Sequence, residues 1–246
     1  MMRVEGLRAG YGRIPVLQGI DFSAAEGECL GVLGHNGMGK TTLMRTLAGQ
    51  IRATAGMISL DDVDITHLAS HERAKRGLGY VPQGRAIFPT LSVMENLWMG
   101  TCSARRSPDV LDQVLATFPR LKPILARPGG VLSGGEQQIL AIARCLCGNP
   151  RVILLDEPTE GIQPSIVDEI GDQLLGLRKR GGLTIVVVEQ SLNFIRKLAD
   201  RVLVIQKGVF VRELTSSDLD KLEDQFLGLD PSLLAVDETA IQPTVS

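Results

Sequence analysis

No stretch of this 246-residue chain approaches the ~18 consecutive apolar residues that a membrane-spanning helix needs. The longest apolar runs are short pieces such as Val152–Leu155 and Ile185–Val188. The N-terminus also lacks the basic, then apolar, then small-residue pattern of a secretory signal. These absences point to a cytoplasmic protein, with any membrane role arising through a partner. A charge excess of one sign is missing too. Lys and Arg number 26 and Asp and Glu 28, for a formal net charge of −2, so no global basic field exists to hold nucleic acid. The four cysteines, Cys29, Cys102, Cys145 and Cys147, form no CxxC pair and have no histidines at metal-ligand spacing. Cys29 and Cys145 sit in apolar surroundings and read as buried free thiols in a reducing compartment. Internal repeats and low-complexity tracts are lacking as well.

What is present is an ordinary globular composition, 44% hydrophobic and 22% charged, with 27 glycines. The length fits one domain or one core with an insertion. Several short strands are expected between Val4 and Leu33, ending in Cys29–Leu33, a nearly all-apolar run of the kind buried on both faces of a sheet. Leu43, Met44, Leu47 and Ala48 then follow at helical spacing and stop at Gly49. Residues 56–82 read as strands and turns with a short helix at Ser70–Arg76. Residues 84–149 read as mainly helical, with breaks at Ser107–Pro108, Phe118–Pro119 and Arg127–Gly130. Val152–Asp156 and Thr184–Glu189 are further buried strands separated by helical segments, which argues for a largely parallel sheet. The tail after about Asp230 is poor in pattern and is expected to be loose.

Between the strand at Cys29–Leu33 and the following helix lies Gly34-His35-Asn36-Gly37-Met38-Gly39-Lys40-Thr41-Thr42. It fits the G-x-x-x-x-G-K-[ST] phosphate loop in the strand–loop–helix context that the motif requires. A triphosphate is dense negative charge. Glycines let the backbone curl so that its N–H groups point inward, and the helix start adds its positive end. Lys40 suits the β and γ phosphates and the Thr41 hydroxyl suits Mg²⁺. A chance match in a glycine-rich chain is the bland alternative. The strand Val152–Leu155 runs into Asp156-Glu157-Pro158-Thr159. Two acids at the end of an apolar strand are costly without cations or polar ligands. Asp156 is placed to hold Mg²⁺ directly or through water, and Glu157 to act as base or orienter for an attacking water. A helix N-cap pair is the structural alternative.

Leu132-Ser133-Gly134-Gly135-Glu136-Gln137-Gln138, with Ser133 lying 23 residues before Asp156, narrows the class. Ser133 suits the cap of a helix beginning at Gly134 or Gly135, and two glycines at such a start leave N–H groups for an anion. This motif is the signature of the ATP-binding cassette family, and the sequence resembles an ABC transporter ATPase along nearly all of residues 2–229. Tyr11 stands where these proteins place an aromatic under adenine, although it also reads as a turn residue between Gly10 and Gly12. Gln83, in Val81-Pro82-Gln83, matches their Q-loop, which implies a contact to nucleotide and Mg²⁺; the alternative is a surface turn residue.

The resemblance implies an α/β P-loop NTPase (RecA-like) core with a mainly parallel sheet, an N-terminal antiparallel β subdomain and a helical subdomain. The core would be residues 1–83 and 150–230, the helical subdomain 84–149 and the tail 231–246. It further implies head-to-tail pairing, in which Gly34, Asn36, Gly37, Gly39, Lys40, Thr41 and Thr42 of one subunit and Ser133, Gly134 and Gly135 of the other enclose one ATP. The helical stretch would dock on two membrane permease subunits at the cytoplasmic face of the membrane, indirectly serving a substrate-binding protein. No nucleic acid is expected as a partner.

Most such ATPases carry a histidine after the last core strand, touching the γ phosphate. Here Val186-Val187-Val188-Glu189-Gln190-Ser191 places Gln190 there. An amide can donate a hydrogen bond but carries no proton or positive charge to the site. Gln190 is either a tolerated substitution or a sign of divided labour with an unlike ATPase subunit, a homodimer being the alternative to that heterodimer. His35, His67 and His71 do not occupy the position: His35 is expected to face away from ATP and the other two to lie on the surface. Glu-Gln at this place is similar to one of the two ATPases of branched-chain amino acid uptake systems and their urea and short-chain amide relatives. The stretch Tyr80–Leu97 is typical of that branch, and Glu160-Gly161-Ile162-Gln163-Pro164-Ser165-Ile166 looks more like its urea members. A soluble cassette protein of DNA repair or translation, and a nucleotide-gated regulator with little turnover, are the competing classes. The first usually carries two cassettes, long coiled-coil arms or zinc modules, none of which this sequence shows, and the mild acidity also argues against it. The second is opposed by the intact Lys40, Thr41, Asp156 and Glu157.

Overall fold

A computed structural model describes residues 1–103, 108–215 and 218. Two sheets carry the fold. The first is antiparallel, ordered β2-β1-β4-β5 and built from β1 (Met2–Tyr11), β2 (Ile14–Ala24), β4 (Ala53–Leu60) and β5 (Val63–Asp64). The second has six strands in the order β10-β9-β3-β8-β7-β6. These are β3 (Cys29–Leu33), β6 (Leu78–Val81), β7 (Val152–Asp156), β8 (Thr184–Glu189), β9 (Arg201–Gln206) and β10 (Val209–Thr215). All neighbours pair in parallel except β10, which closes the edge antiparallel to β9.

The all-apolar central strands are buried on both faces, and alternate residues serve two different cores. On one face Cys29, Leu33, Ile153, Leu155, Ile185 and Val187 pack against α3 (Val93–Gly100), α5 (Gly134–Leu146), α6 (Pro164–Gly181) and α7 (Leu192–Leu198). On the other, Leu30, Val32, Val152, Leu154, Val186 and Val188 meet α1 (Lys40–Leu47) and the inner face of the antiparallel sheet. Leu43, Met44 and Leu47 of α1 fill the space between the sheets.

The expected helix at Ser70–Arg76 is α2 (Ser70–Lys75). The segment 84–149 is helical as a whole but opens with nine residues that lie outside any helix, 84–92, before α3. It continues through α4 (Pro108–Thr117) and short 3₁₀ turns at Thr101–Ser103, Pro119–Ile124 and Gly129–Val131. The break expected at Ser107–Pro108 falls partly outside the described residues, and the tail 231–246 lies wholly outside them. Among the described residues no helix is long and apolar enough to cross a membrane. Cys29 and Cys147 are buried, Cys145 is half-buried and Cys102 is exposed; all four are free thiols. Burial pushes the Cys145 and Cys147 thiols up to about 12, and Cys29 up further still.

Candidate functional site

The site forms at the C-terminal ends of β3, β7 and β8, where a parallel sheet leaves a crevice for ligands. A cavity of about 360 Å³ elsewhere lies between the helical segment and the stretch Ala74–Tyr80. The crevice itself encloses about 330 Å³, lined by Val16, Asn36, Gly37, Gly39, Lys40, Thr41, Thr42, Gln83 and Glu157. Most of the residues expected to cradle phosphate therefore converge here. The loop needs its glycines for distinct reasons. Gly37 and Gly39 sit at φ +80° and +106°, a region that side chains rarely enter. A Cβ on Gly34 would lie 2.7 Å from the Ile205 carbonyl oxygen. Gly39 begins α1 with no side-chain cap and no acid in the first turn, so the helix start keeps its N–H groups and its positive end for an outside anion.

Lys40 is buried and turns back across the loop. Its Nζ donates to the carbonyls of Gly34 and His35 at 2.6 and 3.1 Å and pairs with Glu157 Oε1 at 2.9 Å. The side chains of Lys40 and Glu157 are 3% and 5% exposed, so each charge depends on the other for compensation. Glu157 has φ +47°, unusual for a non-glycine residue, while its N–H donates to Val188 O at 3.0 Å. That strained backbone turns its carboxylate over the loop. Glu157 Oε2 accepts from Gln190 Nε2 at 3.1 Å and from Gln83 Nε2 at 3.5 Å. Gln190 Nε2 also donates to Asn36 Oδ1 at 2.8 Å, and Gln83 Nε2 to Glu160 Oε2 at 2.9 Å.

Asp156 is buried beside this pair. Its Oδ1 accepts from Thr41 Oγ1 at 3.2 Å. Burial pushes its carboxyl up to about 6, opposed by the hydrogen bonds from Tyr80 and Thr41 and assisted by the negative charge of Glu157. Among the described residues no group of three or more His, Cys, Asp or Glu is placed to hold a metal ion. Thr41 and Asp156 nonetheless supply two adjacent hard oxygens, a donor set that suits Mg²⁺ completing its shell with phosphate oxygens and water.

Two expected groups lie apart. Tyr11, at the end of β1, is 49% exposed and does not line the crevice. Ser133, Gly134 and Gly135 do not line it either. They open α5 through a capping box, in which Glu136 N–H donates to Ser133 Oγ at 3.3 Å and Ser133 N–H to Glu136 Oε2 at 2.8 Å. Gly135 has a steric reason besides, while at Gly134 only the movable end of a long side chain stands close. A Cβ on Gly134 would meet the Arg85 guanidinium at 2.9 Å, and one on Gly135 would meet Ile166 at 2.9 Å. His67 and His71 are exposed, as expected, and His35 is exposed too.

The structure also brings in residues that sequence reading missed. Glu189, 3% exposed, accepts from the N–H groups of Thr159 at 2.9 Å and Gln190 at 3.0 Å, tying the turn after β7 to that after β8. Burial raises its carboxyl above the usual range. Tyr80 donates to Asp156 Oδ2 at 3.2 Å. Neither the Glu189–Thr159 contact nor the Tyr80–Asp156 contact has a local signal, since those partners lie 30 and 76 residues apart in the chain.

A mixed sheet with a glycine phosphate loop at its C-terminal edge and two acids at the end of the neighbouring strand defines a nucleotide-hydrolysing P-loop domain. The ABC transporter family model matches residues 17–160, and the chain belongs to that family. It is an ATP-binding cassette and an ATPase. It is 37% identical over 233 residues to the high-affinity branched-chain amino acid transport ATP-binding protein BraG of Pseudomonas aeruginosa, covering 93% of this chain and 100% of that one. To the probable branched-chain amino acid transport ATP-binding protein LivF of Archaeoglobus fulgidus it is 34% identical, covering 93% and 99%. To the lipopolysaccharide export ATP-binding protein LptB of Escherichia coli K12 it is 32% identical, covering 91% and 93%. Among solved structures, a nucleotide-free ATP-binding cassette from an ABC transporter superposes with a TM-score of 0.83 at 25% identity over 99% of both chains. A dimeric bacterial ABC transporter cassette superposes with a TM-score of 0.80 at 26% identity over 88% and 99%.

Proposed function

We propose that this chain is the ATPase subunit of an importer for branched-chain amino acids or for small amides, urea among them, and that it works at the cytoplasmic face of the membrane. The likeness to BraG and LivF favours the amino acids; Glu160–Ile166 favours urea. The observation that carries the mechanism is the buried pair of Lys40 and Glu157, 2.9 Å apart. The γ phosphate of ATP competes for Lys40, and a Glu157 carboxylate released from that pair is free to accept a proton from the attacking water. Gln190, bonded to both Asn36 and Glu157, steers the carboxylate as the pair opens. Thr41 and Asp156 would hold Mg²⁺, with Gln83 beside them; the ion neutralises phosphate charge when bound. Tyr11 presents an exposed ring for adenine.

Ser133, Gly134 and Gly135 serve the nucleotide of a second subunit. The dimeric cassette structure supports this pairing. Gln190 favours an unlike partner that supplies a histidine at the other site. The groove lined by Phe88, Met99, Cys102 and Arg144, with exposed Trp98 at its side, suits the membrane subunits.

The deciding experiment removes only this chain from cells and measures uptake of labelled leucine, urea and acetamide against the restored strain. Loss of any one assigns the cargo. Unchanged uptake of all three would overturn the import reading and favour export, for which the likeness to LptB is the specific support.

A further inference from the structure

The Asp156 carboxylate has two oxygens with different duties. Oδ1 faces Thr41 Oγ1 at 3.2 Å, on the side of the phosphate loop. Oδ2 accepts from Tyr80 Oη at 3.2 Å. Tyr80 belongs to β6, which pairs with β7 in register, Tyr80 opposite Leu154. The strand pairing therefore fixes where the ring stands, and its packing against the α1-side core fixes its direction. Arg45, a residue of α1, places its positive charge near both Tyr80 and Tyr11. The phenol O–H donates to Asp156 Oδ2 with that cation nearby. A positive charge beside a phenol polarises its O–H and makes it a stronger donor.

A carboxylate with one oxygen engaged presents the other as a single directed lone-pair face, with little freedom to rotate. This is the usual way that an outer hydrogen bond tunes a metal-binding acid. We propose that Tyr80 is a positioning residue for the cation of the ATPase site, holding Asp156 Oδ2 so that Oδ1 and Thr41 Oγ1 are presented together, with the nearby Arg45 charge strengthening the Tyr80 hydroxyl as a donor. This rests on the reading of Asp156 and Thr41 as the cation-holding pair. The phenol touches neither nucleotide nor cation and acts only through Asp156.

The test uses the full chain with a non-hydrolysable ATP analogue and Mn²⁺ as probe, reading bound Mn²⁺ by electron paramagnetic resonance, with no turnover involved. Tyr80→Phe keeps the ring and removes only the hydroxyl. The expected result is a loss of Mn²⁺ affinity on the order of tenfold, the scale of one hydrogen bond to a charged group, with affinity for the analogue in EDTA unchanged. Arg45→Met should weaken Mn²⁺ in the same sense by a smaller factor, and it decides the matter if Tyr80→Phe does not fold. Unchanged Mn²⁺ affinity in a folded Tyr80→Phe, or in Arg45→Met where that is the deciding variant, overturns the role of Tyr80 and leaves the cation site standing. Equal weakening of metal-free analogue binding also overturns it, because that marks general damage. A wild-type chain that binds the analogue but no Mn²⁺ with it overturns the cation site itself, and the role of Tyr80 with it.

Discussion

Two helices of this molecule begin with glycine at a place where an anion is expected, and they are finished in opposite ways. α1 starts at Gly39 with a left-handed backbone, no side-chain cap and no acid in its first turn. α5 starts at Ser133 with a complete capping box and Glu136 in its first turn. The first start leaves its orphan N–H groups and positive end uncompensated, as a site that must bind several phosphate oxygens alone requires. The second satisfies two donors internally and places a carboxylate beside them, so its pull on an anion is weaker and more local. The difference fits the proposal that one start captures nucleotide and the other recognises nucleotide already captured, through Gly134 and Gly135. The charged residues follow suit: Lys40 at the first start is buried against Glu157, whereas Arg85 at the second reaches Gln137 Oε1 at 3.3 Å and is half-buried.

The largest effect that would sharpen this contrast is on chemistry at the first start. Glu157→Gln should keep ATP binding and lower phosphate release by about 10²–10⁴-fold, the range for a lost general base. Undiminished release from a pure sample would remove Glu157 from that role. Next, Lys40→Met should weaken ATP binding by about 10–100-fold, the scale of a lost charge-assisted contact. It should also destabilise the fold by about 3 kcal/mol, because Glu157 is left buried and unpaired. Denaturant unfolding of Lys40→Met with Glu157→Gln should recover much of that loss, a coupling that independent sites would not show.

At the second start the effects are smaller. Ser133→Ala removes the cap oxygen and should cost about 1 kcal/mol of stability. ATP affinity of the isolated chain should stay as it was while the turnover gained on pairing falls. A loss of single-chain affinity would break the division between the two starts.

The smallest effect concerns pH. A hydrogen bond from the Ser133 backbone N–H holds the Glu136 carboxyl below its usual range, a lowering that its burial opposes. A depressed acid contributes stability that is fully present above its unfolded value, about 4.3, and is lost as pH falls through its lower folded value. Glu136→Gln should therefore cost no more than about 0.5 kcal/mol at neutral pH, given its exposure to solvent. The gap from wild type should close below about pH 4. A gap that widens in acid would contradict the assignment.

Both helix starts were legible in the sequence, because a cap and its helix are neighbours in the chain. Gly34–Thr42 could be read as a loop between a buried strand and a helix, and Ser133 as the cap of a helix beginning at Gly134 or Gly135; the reciprocal contact with Glu136 came from the structure. The acids Asp156 and Glu157 were legible as polar residues ending an apolar strand. The pairing of Lys40 with Glu157 was not, nor was Tyr80 with Asp156, 76 residues apart. Such contacts depend on which strands lie side by side in the sheet, and the order β10-β9-β3-β8-β7-β6 cannot be derived from local periodicity. Gln190 was legible as a departure, but its bridge from Asn36 to Glu157 emerged only when β3, β7 and β8 were placed together. The helical segment was legible by its spacing, yet 84–92 departs from it because Gly84, Arg85 and Ala86 all adopt positive φ, which no helix accommodates.

The most direct test of the contrast is an amide nitrogen–proton correlation spectrum of the monomeric chain titrated with Mg·ATP. The account predicts shifts concentrated at Gly37, Gly39, Lys40, Thr41 and Thr42, with Ser133 through Glu136 unmoved until a second subunit is added. Shifts at Ser133–Glu136 in the monomer, or none at Gly37–Thr42, would contradict it.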